Sequence, residues 1–299
     1  WSGSLTSEAE ALAVRPLLGD EAPLVALQNP MSRESAVLRP NLVCGLLRAA
    51  AHNLRNGRPA VRLFEVGAGF LATNGALPEE RLMLAAALVG PRWHHAHDPA
   101  PSRPEGAYDP RGMADFFDLK GVAEAWLDEM SVDSPTWRAY ASDGWKPGAS
   151  AQVAVAGSSI AWAGTLGQSL LKSWEIDVPV HLFVVLLDPL SGGVTTTPRA
   201  RVPGRFPPVR RDLAFFVPRA VTHAQVEDAL VGSAGGTLTA LDLFDVYEGP
   251  GTPEGMKSLA FAAQFVDAER TLTEVEVNEI QGRMVAAVAQ RCGGALRER

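Results

Sequence analysis

The chain has 299 residues, of which 46% are hydrophobic and 20% are charged, and its formal net charge is −7. This composition is that of an ordinary globular protein, and the acidic balance argues against a protein that coats nucleic acid through bulk positive charge. No apolar run approaches the roughly 18 residues needed to cross a bilayer, so we expect no membrane span.

The cysteines give an expectation for the redox environment. Cys44 and Cys292 lie far apart, and neither has a C-x-x-C partner. Neither a disulfide framework nor a thiolate metal site is therefore expected. The sequence begins at Trp1 without a basic and apolar leader, so we expect no secretory signal. Together these observations favour a reducing cytoplasm.

The first two hundred residues combine helical and strand patterns. Apolar residues that recur at three- and four-residue steps predict helices near 7–14, 42–56 and 115–130. Short apolar runs bounded by turn residues predict strands at 24–27, 61–67, 82–89, 137–141, 151–156, 159–166 and 181–187. Several successive strands with few intervening helices favour an antiparallel α+β sheet over a doubly wound parallel sheet.

Two of these elements carry more specific expectations. Residues 61–67 have apolar side chains at both odd and even positions, which predicts a strand that is buried on both faces. In the helix predicted at 115–130, Val122, Trp126 and Met130 recur at i, i+4 and i+8. This spacing predicts that the three side chains form the buried stripe of the helix.

A proline-rich segment between Gly90 and Gly112 contains the run W-H-H-A-H-D. His94, His95, His97 and Asp98 have side chains that bind metals, but the segment offers no regular scaffold to fix them. We favour a solvated polar loop, with metal binding as the alternative. No G-x-S-x-G elbow and no phosphate-binding G-x-x-x-x-G-K-[ST] loop occurs, so we predict no catalytic site in this half.

A basic hinge is predicted at residues 199–205. Five arginines precede the first acid, Asp212, and prolines and glycine keep the start of the segment out of helix and sheet. An apolar run at 213–217 then predicts a strand. We therefore predict two domains, 1–198 and 206–299. The hinge is either a solvated linker or a local phosphate-binding segment.

Residues 206–299 predict the order strand, helix, strand, strand, helix, strand. Capping boxes at Thr222 with Gln225 and at Thr273 with Glu276 mark the starts of the helices. Predicted strands cover 212–217, 238–246, 258–266 and 295–297. Alternation in the second of these places Leu241, Leu243 and Asp245 on one face. The arrangement is the split βαβ or ferredoxin-like fold, with both helices on one face of a four-stranded antiparallel sheet. Its other face is free to bind a ligand, and topology alone does not identify that ligand.

Motifs in both halves resemble one protein family. In the second half the motifs are F-P-P-V-R-R-D-L-A (206–214), L-F-D-V-Y-E-G (243–249), K-S-L-A-F (257–261) and R-T-L-T-E-V-E-V (270–277). They resemble the ferredoxin-fold anticodon-binding domain that ends the beta subunit of bacterial phenylalanyl-tRNA synthetase. The preceding half resembles the class II synthetase-like domain of that subunit, through N-P-M-S-R-E-S-A-V-L-R (29–39), R-L-F-E-V-G (62–67) and D-F-F-D-L-K-G (115–121). The resemblance covers nearly the whole chain.

The resemblance implies part of an (αβ)₂ enzyme that charges tRNA(Phe) with phenylalanine. Residues 1–198 would be a catalytically inactive domain that docks the alpha subunit. No cofactor is expected in this part, whereas ATP and magnesium are expected for the complete enzyme. The stretch from Arg62 to Glu65 resembles a relic of the class II R-x-E motif. No later G-x-G-x-x-R motif supplies a second arginine for the triphosphate.

The resemblance also implies RNA-binding residues. Tyr247 would stack on a base, and Asp245, on the same strand face, would accept hydrogen bonds from a base edge. Ala214, on the neighbouring strand, would let a base approach, while Arg210 and Arg211 would hold phosphates. The alternative for Tyr247 is that its ring caps the core at the end of the strand.

Two other functions remain open. If residues 1–198 were an active adenylate-forming domain, the chain alone would catalyse ATP-dependent pyrophosphate exchange, but the second arginine is missing. If residues 206–299 were a small-ligand regulatory domain, they would bind an amino acid at a dimeric interface and leave no RNA footprint. The arginine-rich entry to the first strand argues against that role.

Overall fold

The computed structural model describes residues 3–75, 77–92, 112–190 and 206–297. The chain divides into two compact units, Trp1–Pro198 and Arg199–Arg299. The predicted hinge at 199–205 and the histidine-containing run at 94–98 lie outside the described residues, so the interpretations of both stay predictions. Within the described ranges, no helix is long and apolar enough to span a membrane.

The first unit contains eight strands and four α-helices in its described part. The helices are α1 (Glu8–Val14), α2 (Val43–Arg55), α3 (Phe116–Glu129) and α4 (Gln168–Leu171). The strands are β1 (Leu5–Thr6), β2 (Val37–Leu38), β3 (Val61–Leu71), β4 (Glu79–Val89), β5 (Thr136–Ala139), β6 (Trp145–Val155), β7 (Ser158–Leu166) and β8 (Val180–Leu186). Strands β3 to β8 form one antiparallel sheet in the order β3-β4-β8-β7-β6-β5, and β1 pairs with β2.

Each face of the six-stranded sheet is covered by one main helix. The apolar stripe of α2, which includes Leu46 and Leu47, packs in the same buried cluster as Met83 of β4. On the opposite face, Leu119 of α3 packs in a cluster with Phe183 of β8. The antiparallel α+β class predicted from the sequence is confirmed.

The segment before α2 lies directly on β3. A Cβ atom at residue 69 would be 2.4 Å from the carbonyl oxygen of Pro40, so only glycine fits there. The Phe70 amide donates a hydrogen bond of 2.9 Å to the Arg39 carbonyl oxygen. The buried Arg39 side chain in turn donates to Glu65 Oε1 at 2.7 Å and to the Ala68 carbonyl oxygen at 2.9 Å. These contacts fix the start of α2 on the sheet.

Three expectations for this unit are wrong. Residues 24–27 form only a single bridge, Ala26 opposite Val37, in place of a strand. Strand β3 lies at the edge of the sheet, and Phe64 on one of its faces is 72% exposed because α3 packs farther along, on β7 and β8. The buried stripe of α3 is Leu119, Ala123 and Leu127, whereas Val122 is 53% exposed. Of the predicted stripe, Trp126 does pack against this cluster, with its ring edge-on to Phe183, so the predicted face is only partly wrong.

The second unit has the predicted order of elements. Its strands are β9 (Val209–Pro218), β10 (Leu238–Tyr247), β11 (Met256–Phe265) and β12 (Ala295–Leu296), and its helices are α5 (His223–Ala234) and α6 (Glu274–Cys292). The antiparallel sheet order is β10-β11-β9-β12. Both predicted capping boxes are present, with Thr222 before α5 and Thr273 before α6. The ferredoxin-like arrangement is confirmed.

Candidate nucleic-acid interface

The surface of the second sheet opposite α5 and α6 is here called the helix-free face. Phe215 of β9 and Phe261 of β11 are fully buried on the other, helix-covered face. Because directly paired residues of antiparallel strands share a face, the strand register defines rows across the sheet. Two such rows on the helix-free face are Asp245–Ala260–Ala214 and Tyr247–Ser258–Phe216.

A β-bulge at Phe244 determines which face Asp245 occupies. Leu243 pairs with Phe261 and Asp245 pairs with Ala260, so Phe244 is an extra residue between two successive pairs. Leu243 packs against the core, and Asp245 therefore lies on the helix-free face. The predicted alternation, which placed Leu243 and Asp245 on one face, is wrong because strict alternation holds only in a strand without a bulge.

Tyr247 lies at the end of β10 with 39% of its surface exposed. Its hydroxyl donates a hydrogen bond of 3.1 Å to the carbonyl oxygen of Pro250 in the following turn. The ring also lies against Gly249, where a Cβ atom would come within 2.7 Å of the ring carbon that bears the hydroxyl. The side chain is thus held on the helix-free face with ring surface accessible. Its stacking on a base stays a prediction.

Ala214 and Asp245 share a row. They were expected to lie on neighbouring strands, and this expectation is wrong. Strand β11 lies between β10 and β9, and Ala260 separates the two residues. The ferredoxin-like order places the later strand of the β10–β11 hairpin in the middle, which chain order alone does not reveal. The residue between Asp245 and Ala214 is therefore a small one, Ala260, which is 7% exposed.

Arg210 and Arg211 project to opposite faces of β9. Arg210 pairs with Gln264, whereas Arg211 pairs with Ala263, a residue of the helix-side core. The Arg210 Nε atom lies 3.2 Å from Asp212 Oδ1, and both side chains are more than half exposed. Such an exposed pair is weak enough for a phosphate to compete with it. Of the two arginines, only Arg210 lies on the same face as Tyr247.

Phe216 and Arg297, which were not predicted from the sequence, also lie on or above this face. Phe216 is in the same row as Tyr247, and the Arg297 guanidinium carbon lies 5.9 Å from the Phe216 ring centroid. The Arg297 amide donates to the Ala214 carbonyl oxygen at 2.8 Å, which fixes its backbone beside β9. The alternation of Leu213, Phe215 and Val217 with Phe216 was the signal that places Phe216 opposite the core.

In the first unit, Arg62 and Glu65 do not converge on one site. They lie three residues apart in β3 and therefore point to opposite faces. Arg62 donates to the carbonyl oxygens of Val89 and Pro91, at 3.2 and 2.6 Å, while Glu65 pairs with Arg39. In the parts of the chain that the structure describes, no group of three or more His, Cys, Asp or Glu side chains is arranged to hold a metal ion.

An apolar groove lies where β3 and β4 extend beyond α3, and is here called the β3–α3 groove. Its volume is about 410 Å³, and its apolar lining includes Phe64, Leu84, Val122, Trp126 and Phe183. Phe64 is 72% exposed. A contiguous exposed apolar surface of this kind is typical of a site that contacts another protein segment.

Two family models match the chain. Residues 2–187 match the family described as "Phenylalanyl tRNA synthetase beta chain CLM domain". Residues 204–297 match the "Ferredoxin-fold anticodon binding domain". The second match includes the whole sheet that carries the helix-free face.

Curated relatives are similar to this chain across both of its units. A phenylalanine–tRNA ligase beta subunit of Bacillus cereus is 33% identical over 297 residues, 99% of this chain and 35% of the relative. That of Xylella fastidiosa is 38% identical over 269 residues, 89% of this chain and 32% of the relative. The chain therefore spans about a third of the length of these relatives. A solved structure, pyrrolysyl-tRNA synthetase from Desulfitobacterium hafniense, is 17% identical with a TM-score of 0.45, over 64% of this chain and 60% of that one.

Proposed function

Because this chain belongs to the phenylalanyl-tRNA synthetase beta-chain family, we propose that its second unit binds the anticodon region of tRNA(Phe). The protein would do so as part of the ligase that attaches phenylalanine to that tRNA. The observation that carries the proposal is the helix-free face, where Tyr247 and Asp245 lie side by side on β10, opposite two helices that close the core. Four-stranded sheets of RNA-binding modules use such a face to receive unpaired bases.

Each residue on this face has a defined chemical role in the proposal. The Tyr247 ring stacks on one base, a contact worth about 1–3 kcal/mol. Asp245 accepts a hydrogen bond from the edge of that base, and the small side chains of Ala260 and Ala214 leave room for it. Arg210 contacts a phosphate from the same face. Arg211 lies on the other face of β9, so any phosphate that it holds is a different one.

Binding of tRNA(Phe) transcript by the full chain tests this function. We expect Tyr247→Ala to weaken binding about tenfold, and an anticodon-substituted transcript to bind wild-type protein equally weakly. Val231→Ala is the matched control, because Val231 is half exposed on α5, on the other side of the sheet. Binding that ignores both the anticodon and Tyr247 would refute the proposal. Amino-acid binding without RNA binding would favour the regulatory alternative.

A second role, docking of the catalytic alpha subunit by the first unit, is supported by the β3–α3 groove. Phe64 and Val66 are 72% and 52% exposed on the same face of an edge strand. Burial of such large, exposed apolar side chains in a protein interface is favourable, because it removes apolar surface from water. The alpha subunit of the (αβ)₂ enzyme is the partner that we propose for it.

Co-purification with the alpha subunit tests the docking role. We expect Phe64→Asp to reduce the amount of alpha subunit that co-purifies with this chain, because a carboxylate in the groove would lose its hydration on docking. Leu12→Asp introduces the same charge at a site on α1 that is 44% exposed. Equal recovery of the alpha subunit with both variants would contradict the assignment of the groove.

The chain alone is proposed to be non-catalytic, with ATP and magnesium required by the complete enzyme. The separation of Arg62 and Glu65 onto opposite faces of β3 supports this, since the two cannot converge on one nucleotide. An assay of phenylalanine-dependent pyrophosphate exchange with the purified chain tests it, and measurable exchange would favour the adenylate-forming alternative. We propose a cytoplasmic location, as expected of a protein that acts in translation.

A further inference from the structure

We propose that Phe216, with Arg297 above it, is a second base-stacking site, and that it receives a different base from the one on Tyr247. This inference rests on the proposed RNA-binding function of the helix-free face. It adds a contact site on β9, two strands away from the Tyr247 site on β10.

The spacing of the two rings separates their ligands. Tyr247 pairs with Ser258, and Ser258 pairs with Phe216, so two strand steps lie between the aromatic residues. Paired Cβ atoms are about 4.5–5.5 Å apart, which places the two side chains about 9–11 Å apart. A single base sandwiched between two rings needs two stacking gaps of about 3.4 Å, or about 7 Å in all. Two rings that stand upright on the sheet at this Cβ spacing are too far apart to hold one base between them.

Between the two rings the sheet carries only small side chains. Ser258 is 2% exposed and stands directly between Tyr247 and Phe216. The adjacent row has Ala260 and Ala214 at its centre. Both Ser258 and Ala260 are short and lie beneath the larger side chains around them, so in this proposal each base lies over its own ring and not over Ser258.

The position of Arg297 supports a stacking role for Phe216. Its guanidinium carbon lies 5.9 Å from the Phe216 ring centroid, within the range of a cation–π contact. The guanidinium plane is itself a surface on which RNA bases stack, and its N–H groups also bind phosphate. Phe216 does not belong to the buried cluster between the sheet and the helices, so its ring does not serve that core.

The test uses the full chain and an anticodon stem–loop RNA, with abasic nucleotides placed singly along the loop. Phe216→Leu removes the ring and keeps an apolar side chain, and Arg297→Ala removes the guanidinium group. We expect each to weaken binding of the intact stem–loop by about tenfold, and the double variant to lose less than the product of the two losses. Phe117→Leu and Arg283→Ala are matched controls at exposed positions outside the face.

Abasic scanning identifies the base that each ring contacts. Tyr247→Ala should become insensitive to loss of one loop base, and Phe216→Leu to loss of another. Insensitivity of both variants at the same base would overturn the proposal. Wild-type affinity of Phe216→Leu and Arg297→Ala, with weakened binding of Tyr247→Ala, would overturn it and leave the proposed function intact. Binding that ignores every loop base would refute the proposed function itself, and this inference with it.

Discussion

The Tyr247 ring lies so close to Gly249 that a Cβ atom at residue 249 would be 2.5 Å from the Tyr247 hydroxyl oxygen. The same hydroxyl donates its hydrogen bond to the Pro250 carbonyl oxygen at 3.1 Å. The turn after β10 thus acts on the ring in two ways: the absent side chain at residue 249 gives it space, and the carbonyl of the next residue fixes its tip. The orientation of the proposed stacking surface depends on this turn.

Gly249→Ala should therefore displace the Tyr247 ring and weaken RNA binding without unfolding the second unit. We expect a several-fold loss of affinity for tRNA(Phe), smaller than the loss for Tyr247→Ala, because the ring is moved and not removed. Gly236→Ala is the control, since a Cβ atom there meets nothing within 4 Å. An unchanged affinity in Gly249→Ala would show that the ring position does not matter for binding.

The buried ion pair of Arg39 and Glu65 should contribute strongly to the stability of the first unit. Arg39 is 6% exposed and its Nη1 atom lies 2.7 Å from Glu65 Oε1. Arg39→Met removes the guanidinium group from beside a largely buried carboxylate, so we expect the free energy of unfolding to fall by about 3–5 kcal/mol. All seven tryptophans precede residue 199, so urea denaturation followed by tryptophan fluorescence reports on this unit alone.

Arg55→Met is the matched control for that measurement. Arg55 pairs with Glu175 at 3.1 Å, but both side chains are mostly exposed, at 61% and 76%. An exposed pair of this kind is worth about 0–1 kcal/mol. Equal effects of the two substitutions would contradict the importance assigned to the buried pair.

The sequence predicted the positions of helices and strands well, but it predicted less well which of their faces are exposed. Thr222 and Thr273 mark helix starts through local hydrogen bonds, so three or four adjacent residues suffice to find them. The exposure of the β3 face that bears Phe64 could not be predicted from adjacent residues. It depends on where α3 crosses the sheet, and α3 begins some fifty residues later. The period of the α3 stripe was correct, but two faces with apolar residues competed, and only packing decides between them.

The sequence predicted that Tyr247 and Asp245 share one face of a strand, but it did not predict which residues of other strands lie beside them. Tyr247 and Asp245 came from one motif, and both lie on the helix-free face. Phe216 shares a row with Tyr247 only because β11 lies between β9 and β10, which is a long-range pairing. The bulge at Phe244 is equally invisible to an alternation rule, and it reverses the face on which Asp245 lies relative to Leu243.

Glu10 should make the first unit sensitive to acid. Its burial raises its pKa, but hydrogen bonds from Arg48, Ser7 and Thr6 outweigh burial and lower the pKa to about 2. The charged carboxylate thus stabilises the folded state above the unfolded pKa of about 4.5, and this contribution is lost as the pH falls from there toward 2. Because the pair with Arg48 is partly exposed, solvent screening limits the contribution to about 1 kcal/mol.

Comparison with Glu10→Gln isolates this contribution from other carboxylates. Its free energy of unfolding, measured by tryptophan fluorescence, should lie below that of the wild type at pH 6, and the difference should shrink between about pH 4.5 and about pH 2.5. Glu8→Gln, at the start of the same helix, is the control. A difference that stays constant with pH would mean that the charge of Glu10 is not responsible.

His181 is a buried, neutral link between the sheet and the start of α3. Its Nε2 atom donates to the Ala114 carbonyl oxygen at 2.8 Å, and its Nδ1 atom lies 2.9 Å from the Thr165 hydroxyl, from which it accepts. The carbonyl oxygen is solely an acceptor, so the proton must be on Nε2. Burial lowers the pKa of His181 despite the opposing effects of Ala114, Asp115 and Asp118.

The lowered pKa of His181 predicts that the first unit loses stability as the pH falls below about 6.5, the ordinary value for the unfolded chain. In that range the unfolded chain gains a proton and the folded unit does not, so the free energy of unfolding falls by up to about 1.4 kcal/mol per pH unit. His181→Gln preserves a donor and an acceptor and should remove this slope, measured by urea denaturation from about pH 7 to about pH 5. His52→Gln, on the exposed side of α2, should retain it. A slope that survives in His181→Gln would assign the acid sensitivity to another group.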